Sequence, residues 1–346
     1  MPKIKKTAKT TKTARRGRGG ANAEGSESIL RDPNGAVVRP PARQGLKTYS
    51  LRSRPSKVHI AQFARSSTSQ DTVGRFLSNL PDFLSARDLR EFCGLVRTAR
   101  GKGRAVIFGL GAHVIKVGLS PVLIDLIREG WITALVLNGA GIIHDFEIAF
   151  AGQTSEDVEE RIKDGRFGMA RETGELLNRA INEGARSGLG LGEAVGRMIA
   201  ASDFPHKDLS LMAAAHRQGI PATVHVALGT DTIHLHPQAS GEALGKTSLQ
   251  DFFLLCGVLE GLGDGGVYIN AGSAVILPEV FLKALTYVRN KGTRVENFST
   301  AVFDFIHHYR PFQNVVRRPV GEKGRGFYFV GPHELLIPLL AAALRS

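Results

Sequence analysis

Residues 104–141 read RAVIFGLGAHVIKVGLSPVLIDLIREGWITALVLNGAG. The stretch opens on a short apolar run, Arg104 to Gly109, too brief for a buried helix and closed by glycine. Past Gly111, the segment from Pro121 to Glu129 has the spacing of a helix. Thr133 to Leu137 then repeats the strand pattern and ends in Asn138-Gly-Ala-Gly141. Strand, glycine turn and helix, given twice, is the alternation of a parallel sheet with helical crossovers, so an α/β fold with a doubly wound parallel sheet is expected. Ligands of such folds bind outside the carboxyl ends of the strands, which directs attention to the turns.

The pattern extends both ways. Upstream, Phe76, Leu77, Leu80, Phe83 and Leu84 follow helical spacing broken by Pro81, which predicts one helix ending near Leu80 and a second starting around Ser85. Downstream, Met169 to Glu183, Leu191 to Ala200, Leu209 to Arg217, Phe252 to Leu259 and Pro278 to Arg289 read as helices, the last opened by a proline in its first turn. Pro221 to Ala227 and Gly266 to Asn270 read as strands, and Phe298 to Phe303, Val315 to Arg317 and Phe327 to Val330 as later ones before a C-terminal helix. Three regions are expected: a disordered basic tail over 1–45, a helical lead-in over 46–100 and an α/β domain over 101–346.

The formal charge of +13 suggests a nucleic-acid binder until its location is considered. Fifteen basic and three acidic side chains lie within the first 57 positions, leaving the remaining 289 with a balance of +1. The tail offers weak, salt-sensitive contact with anions, and without an aromatic before Tyr49 it has no platform for base stacking. Its composition also suits an organellar transit peptide, although it lacks a clear apolar face. At 42% apolar residues the body can bury a conventional core. Cys93 and Cys256, far apart in apolar surroundings, form no disulfide framework, so a reducing cytosol is expected. No apolar run reaches the roughly 20 residues of a membrane span.

Several constellations can carry chemistry. Gly109 to Gly118 puts small residues after a strand and before a helix, where backbone N–H groups can approach a phosphate, although glycine-rich strand ends also serve packing. Asn138 to Asp145 adds a second glycine turn with His144 and Asp145, suited to a ribose hydroxyl or an amine; Asp145 equally suits the cap of a helix beginning near Phe146. The densest polar cluster holds His225, Asp231, His234 and His236, a donor set able to bind zinc, manganese or iron. His307 and His308 read more simply as a helix end with favourable charge. Lys283 stands in an apolar helix opening, where burial would make it nucleophilic and a snorkelling stem would not.

Taken together, Ala105 to Gly118, Leu135 to Asp145, Gly219 to Asp231, Val267 to Asn270 and Phe327 to Leu340 resemble, in order, blocks of the deoxyhypusine synthase family. The resemblance covers roughly residues 100–340. It implies a Rossmann-like, deoxyhypusine synthase-like fold, a homotetramer, and NAD as cofactor beside Ala112, His113, Asn138, Gly139, Ala140, Asp145, Asp231, Asn270 and Ala271. It also implies a transferase that oxidises a polyamine such as spermidine and passes an aminobutyl group, through a lysine imine, to a protein lysine.

The chain differs from that family where the transfer is done. Ala271 to Glu279 stands in place of an acidic glycine- and serine-rich loop, Lys283 comes earlier than the family's lysine, and Pro332-His333 replaces an Asp-Ala pair. The reading is an NAD-dependent enzyme acting on an amine or polyamine, with Lys283 as imine former, His225, His234 and His236 as acid–base or orienting groups, and Glu279 and His144 on the substrate. The competing reading is a metal-dependent hydrolase built on His225, Asp231, His234 and His236. A scaffold binding nucleic acid through its tail stands third.

Overall fold

The computed structural model describes residues 29–346. The first 28 positions of the expected tail lie outside the described residues. The described residues divide into two units, one ending at Lys57 and the other spanning Val58–Ser346. Within the first, Asp32 Oδ1 accepts from the backbone of Asn34 and Ala36 and closes a turn beside an antiparallel bridge between Arg31 and Val37. The helices expected in the lead-in belong instead to the second unit, with the sheet.

That unit contains strands β1 (Val106–Leu110), β2 (Ala134–Asn138), β3 (Ala222–His225), β4 (Val267–Ala271), β5 (Ser299–Asp304) and β6 (Arg325–Val330). Its helices are α1 (Val73–Asn79), α2 (Leu84–Gly101), α3 (Ala112–Lys116), α4 (Ser120–Arg128), α5 (Gly139–Ala151), α6 (Val158–Arg161), α7 (Arg171–Ser187), α8 (Leu191–Ala201), α9 (Leu211–Gln218), α10 (Gly241–Glu260), α11 (Ile276–Asn290), α12 (Tyr309–Pro311) and α13 (His333–Arg345). All pairings are parallel in the order β3-β2-β1-β4-β5-β6. The doubly wound sheet expected from the alternation is therefore present, with its direction of winding reversed between β1 and β4.

Parallel strands buried on both faces need apolar side chains at successive positions, and β1 is buried throughout. Val106, Phe108 and Leu110 face a core shared with α2, α4, α5, α8, α9 and α13, whereas Ile107 faces the second core, under α10 and α11. Phe92 of α2 wedges into the first core, its ring 5.5 Å from Phe327 and 6.0 Å from both Phe303 and Phe329.

The β3 edge of the sheet is buried and closed by side chains. Asp251 Oδ2 on α10 accepts from the backbone of Val224 (2.7 Å) and Gly192 (2.8 Å), and Ser248 Oγ bonds both Val224 and Val226. An edge strand that would otherwise offer free hydrogen-bonding groups is thereby satisfied. Helix α10 begins eleven residues before the expected Phe252 and reaches around β3, with Leu244 in one core and Leu255 in the other.

Val315 to Arg317 is not a strand. It ends a π-helical turn, Phe312–Arg317, whose buried Val315 carbonyl accepts from Thr300 Oγ1 at 2.7 Å. A short β-branched run satisfies either conformation, and burial beside β5 decides it. No helix among the described residues is long and apolar enough to cross a membrane.

Candidate functional site

At the β1/β4 reversal the turns after the two strands pack directly on one another. A Cβ on Gly111 would lie 2.1 Å from the Gly272 carbonyl oxygen, and Gly272 (φ +67°) lies against the ring of His333. Ala112 and His113 open α3 here, and His113 Nδ1 is 2.9 Å from His333 Nδ1. Since His333 Nε2 must donate to the Phe303 carbonyl (3.1 Å), its Nδ1 accepts from His113. Burial, then the neighbouring His333, holds the His113 pKa below its usual value. Asn270 and Ala271 lie fully buried beneath; Asn270 Nδ2 donates to the Ser273 carbonyl (3.0 Å) and its Oδ1 has no partner.

The open space lies beside this reversal, over β2 and β3. A cavity of about 210 Å³ is walled by Lys116, by Ala140, Ile143, His144 and Glu147 of α5, by Ser155, Glu156 and Val158, by Phe167, and by Thr230 to Thr232. Asn138 caps α5 by accepting from Gly141 (3.1 Å), so the remaining first-turn N–H groups face outward from the end of β2. Asp231 stands over that turn, so close that a Cβ on Gly139 would be 2.0 Å from its Oδ2. This oxygen is buried without a hydrogen-bond partner, as is His234 Nε2, 3.8 Å away. Burial pushes the Asp231 carboxyl up to about 6.

His144 is held by a chain of hydrogen bonds. Helix α5 ends at Gly152 (φ +70°), and the chain turns back to bring Thr154 onto the helix face that carries His144 and Glu147. Thr154 Oγ1 donates to Glu147 Oε2 (2.5 Å) and lies 2.6 Å from His144 Nδ1, while Thr173 Oγ1 donates to Glu147 Oε1 (3.1 Å). With its proton spent on the carboxylate, the Thr154 oxygen must accept from His144 Nδ1–H. Burial and the Lys116 charge bring the His144 pKa down to about 4, so the ring is neutral at pH 7 and Nε2 carries a lone pair. A second cavity, of about 360 Å³, adjoins on the far side of Glu147 and Glu156, lined by Phe146, Phe150, Glu172 and Thr173.

The other expected site residues lie elsewhere. Asp145 points to the opposite side of α5, where it accepts from Ser210 Oγ (2.5 Å) and from the backbone of Leu211 (2.7 Å) and Met212 (3.2 Å); it caps α9, not the helix near Phe146. His225 is buried with Nε2 3.1 Å from Thr223 Oγ1, and burial brings its pKa down to about 4. His236 Nε2 donates to the Gly168 carbonyl (2.9 Å), and its ring fills the space above Gly174. His234 Nδ1 accepts from Gly229 (3.1 Å). The four proposed metal donors, His225, Asp231, His234 and His236, therefore do not converge, and among the described residues no three His, Cys, Asp or Glu side chains are placed to hold an ion.

Lys283 and Glu279 pair with each other on the solvent side of α11. Glu279 also accepts from Asn314 Nδ2 (2.9 Å) and lies 3.5 Å from Arg310. His307 and His308 follow β5 rather than ending a helix, with His307 stacked on Tyr328 at 4.3 Å. Sequence reasoning brought Ala140, His144 and Asp231 to the cavity but missed Lys116, Glu147 and Glu156 there, and Thr154 beside it. His144 and Glu147, three apart, carried a helical signal; Thr154 depends on the reversal at Gly152.

No family model and no curated protein matches the sequence. Solved structures that match include the ternary complex of AgrE with ornithine and NAD+ (17% identity, TM-score 0.48, 75% of this chain and 33% of that one). They also include a conserved protein of Methanococcus maripaludis S2 assigned to the LOR/SDH proteins (15%, 0.47, 90% and 77%). A protein of Entamoeba histolytica assigned as a deoxyhypusine synthase matches at 9% and 0.48, over 81% and 96%. The chain thus spans about a third of the length of AgrE.

Proposed function

We propose that the protein is an NAD-dependent enzyme acting on an amine, with its site at the carboxyl edge of β2 and β3. The observation that carries this reading is the buried, unpartnered Oδ2 of Asp231 over the first turn of α5. A buried carboxylate oxygen without a donor is costly, and a ribose hydroxyl supplies one. Asp231 and the first turn of α5, with Asn138, Gly139 and Ala140, would hold the cofactor's ribose and phosphate region. NAD, when bound, accepts a hydride from the carbon bearing the amine. The cavity supports the amine: beside the Asp231 carboxylate given to the ribose, Glu147 and Glu156 line it with a neutral imidazole. Lys283, committed to Glu279 outside the cavity, has no part in this reading.

Calorimetry of the full-length protein with NAD, followed by NADH absorbance with a panel of amines, tests it. We expect saturable NAD binding, weakened about tenfold or more in Asp231→Asn, and NADH formation with at least one amine. No binding, or equal affinity in the variant, contradicts it.

A further inference from the structure

Residues 153–167 run from the end of α5 towards α7 and contribute Ser155, Glu156, Val158 and Phe167 to the lining of the 210 Å³ cavity. The segment shapes the cavity without being packed into the fold. None of its side chains is buried, and none joins either core. Among the described residues its backbone hydrogen bonds reach no farther than Met169. The ion pair of Arg166 with Asp164 and the bond from Gly168 N–H to Glu156 Oε1 (2.7 Å) are equally local. Only Thr154 ties the segment to the body, accepting from His144 Nδ1 (2.6 Å) and donating to Glu147 Oε2 (2.5 Å). A segment held by hydrogen bonds, with no apolar burial, belongs to the part of a fold that opens most readily.

Both ends of the segment turn at glycine, Gly152 with φ +70° and Gly168 with φ +76°. Gly168 is buried and fixed to the body, its carbonyl accepting from His236 Nε2 (2.9 Å). Beside Thr154, Ser155 is also left-handed (φ +70°), a conformation disfavoured for a residue that carries a Cβ. The seated position is therefore strained next to the residue that holds it, and release relaxes it. We propose that residues 153–167 are a lid over the cavity, turning about Gly152 and Gly168 and latched by Thr154 alone. A ligand enters when Thr154 leaves His144 and Glu147, and is shut off from water when the latch re-forms. The lid works in this way whatever ligand the cavity takes, so the inference stands apart from the NAD reading.

Hydrogen exchange of the full-length protein without added ligand, read by mass spectrometry, tests the lid. We expect residues 153–167 to exchange at least about tenfold faster than α7. Thr154→Val should accelerate the peptide 161–167 by about a further tenfold and leave α7 unchanged, and Thr154→Ser should restore the wild-type rate. That peptide is remote in sequence from the substitution, so its acceleration reports the lid opening as one body. A second measurement places a thiol behind the lid. Ile143 lines the cavity at 6% exposure, and the native Cys93 and Cys256 are both buried. N-ethylmaleimide should label the thiol introduced by Ile143→Cys about tenfold faster when Thr154→Val is added, with Cys93 and Cys256 unlabelled over the same time. Unchanged exchange of 161–167 in Thr154→Val, equal acceleration of α7, an unchanged labelling rate, or labelling of the native cysteines at the same rate overturns the proposal.

Discussion

Asp231 and Gly139 meet over the first turn of α5 so closely that no side chain fits between them: a Cβ on Gly139 would stand 2.0 Å from Asp231 Oδ2. Gly139 is helical, so alanine there suits the backbone and improves helix propensity. The conflict is with the carboxylate, which must move. We expect Gly139→Ala to fold with little change in Tm but to lose NAD affinity by about tenfold, like Asp231→Asn. Because both variants disturb one contact, the double variant should lose little more than either alone. Additive losses, measured by calorimetry, would show that the two positions act separately.

Asp251 closes the sheet edge, and its removal leaves the buried N–H groups of Val224 and Gly192 without an acceptor. Asp251→Ala is expected to cost about 2–4 kcal/mol in urea denaturation. Burial raises the Asp251 pKa from its ordinary 3.8 to about 7. A folded-state pKa above the unfolded value means that the unfolded chain releases the proton first. The contribution is therefore fully present below pH 3.8 and is lost as pH rises through about 7. Asp251→Asn should flatten the pH dependence of stability in that window, and an unaltered slope would count against the assignment.

Lys283 is exposed and paired with a carboxylate four residues earlier on the same helix. Such pairs contribute about 0–1 kcal/mol. Lys283→Ala is expected to leave NAD binding, amine turnover and Tm nearly unchanged. A loss of turnover above tenfold would restore this lysine to the chemistry.

His236 anchors the turn after β3 to Gly168 and fills the space over Gly174. We expect His236→Ala to lower stability by about 1–3 kcal/mol, through an unpaired carbonyl and a cavity, without changing zinc content. Elemental analysis of the wild type and the variant checks this, and stoichiometric zinc lost in the variant would revive the hydrolase reading.

The sheet was legible because Arg104 to Gly141 shows strand length, glycine punctuation and helical spacing in one continuous stretch. Asn138 was legible as a polar residue at a strand end for the same reason, whereas the cofactor role of Gly139, Ala140 and Asp231 came only from the family resemblance. Asp145 misled because a carboxylate near a glycine turn looks the same whether it faces a ligand or caps a distant helix, and its partner Ser210 is 65 positions away. The His225 to His236 cluster misled because nearness in sequence does not make imidazoles converge once a strand end and a 3-10 turn aim them apart. Thr154 stayed hidden because its place depends on the left-handed residue Gly152, which the sequence does not mark as a reversal rather than a packing glycine.

The most direct measurement is a calorimetric titration of NAD into the full-length wild type beside Asp231→Asn. Saturable binding to the wild type, weakened about tenfold or more in the variant, is the expected result. Equal affinity in both, or no heat of binding to the wild type, would contradict an NAD site at Asp231.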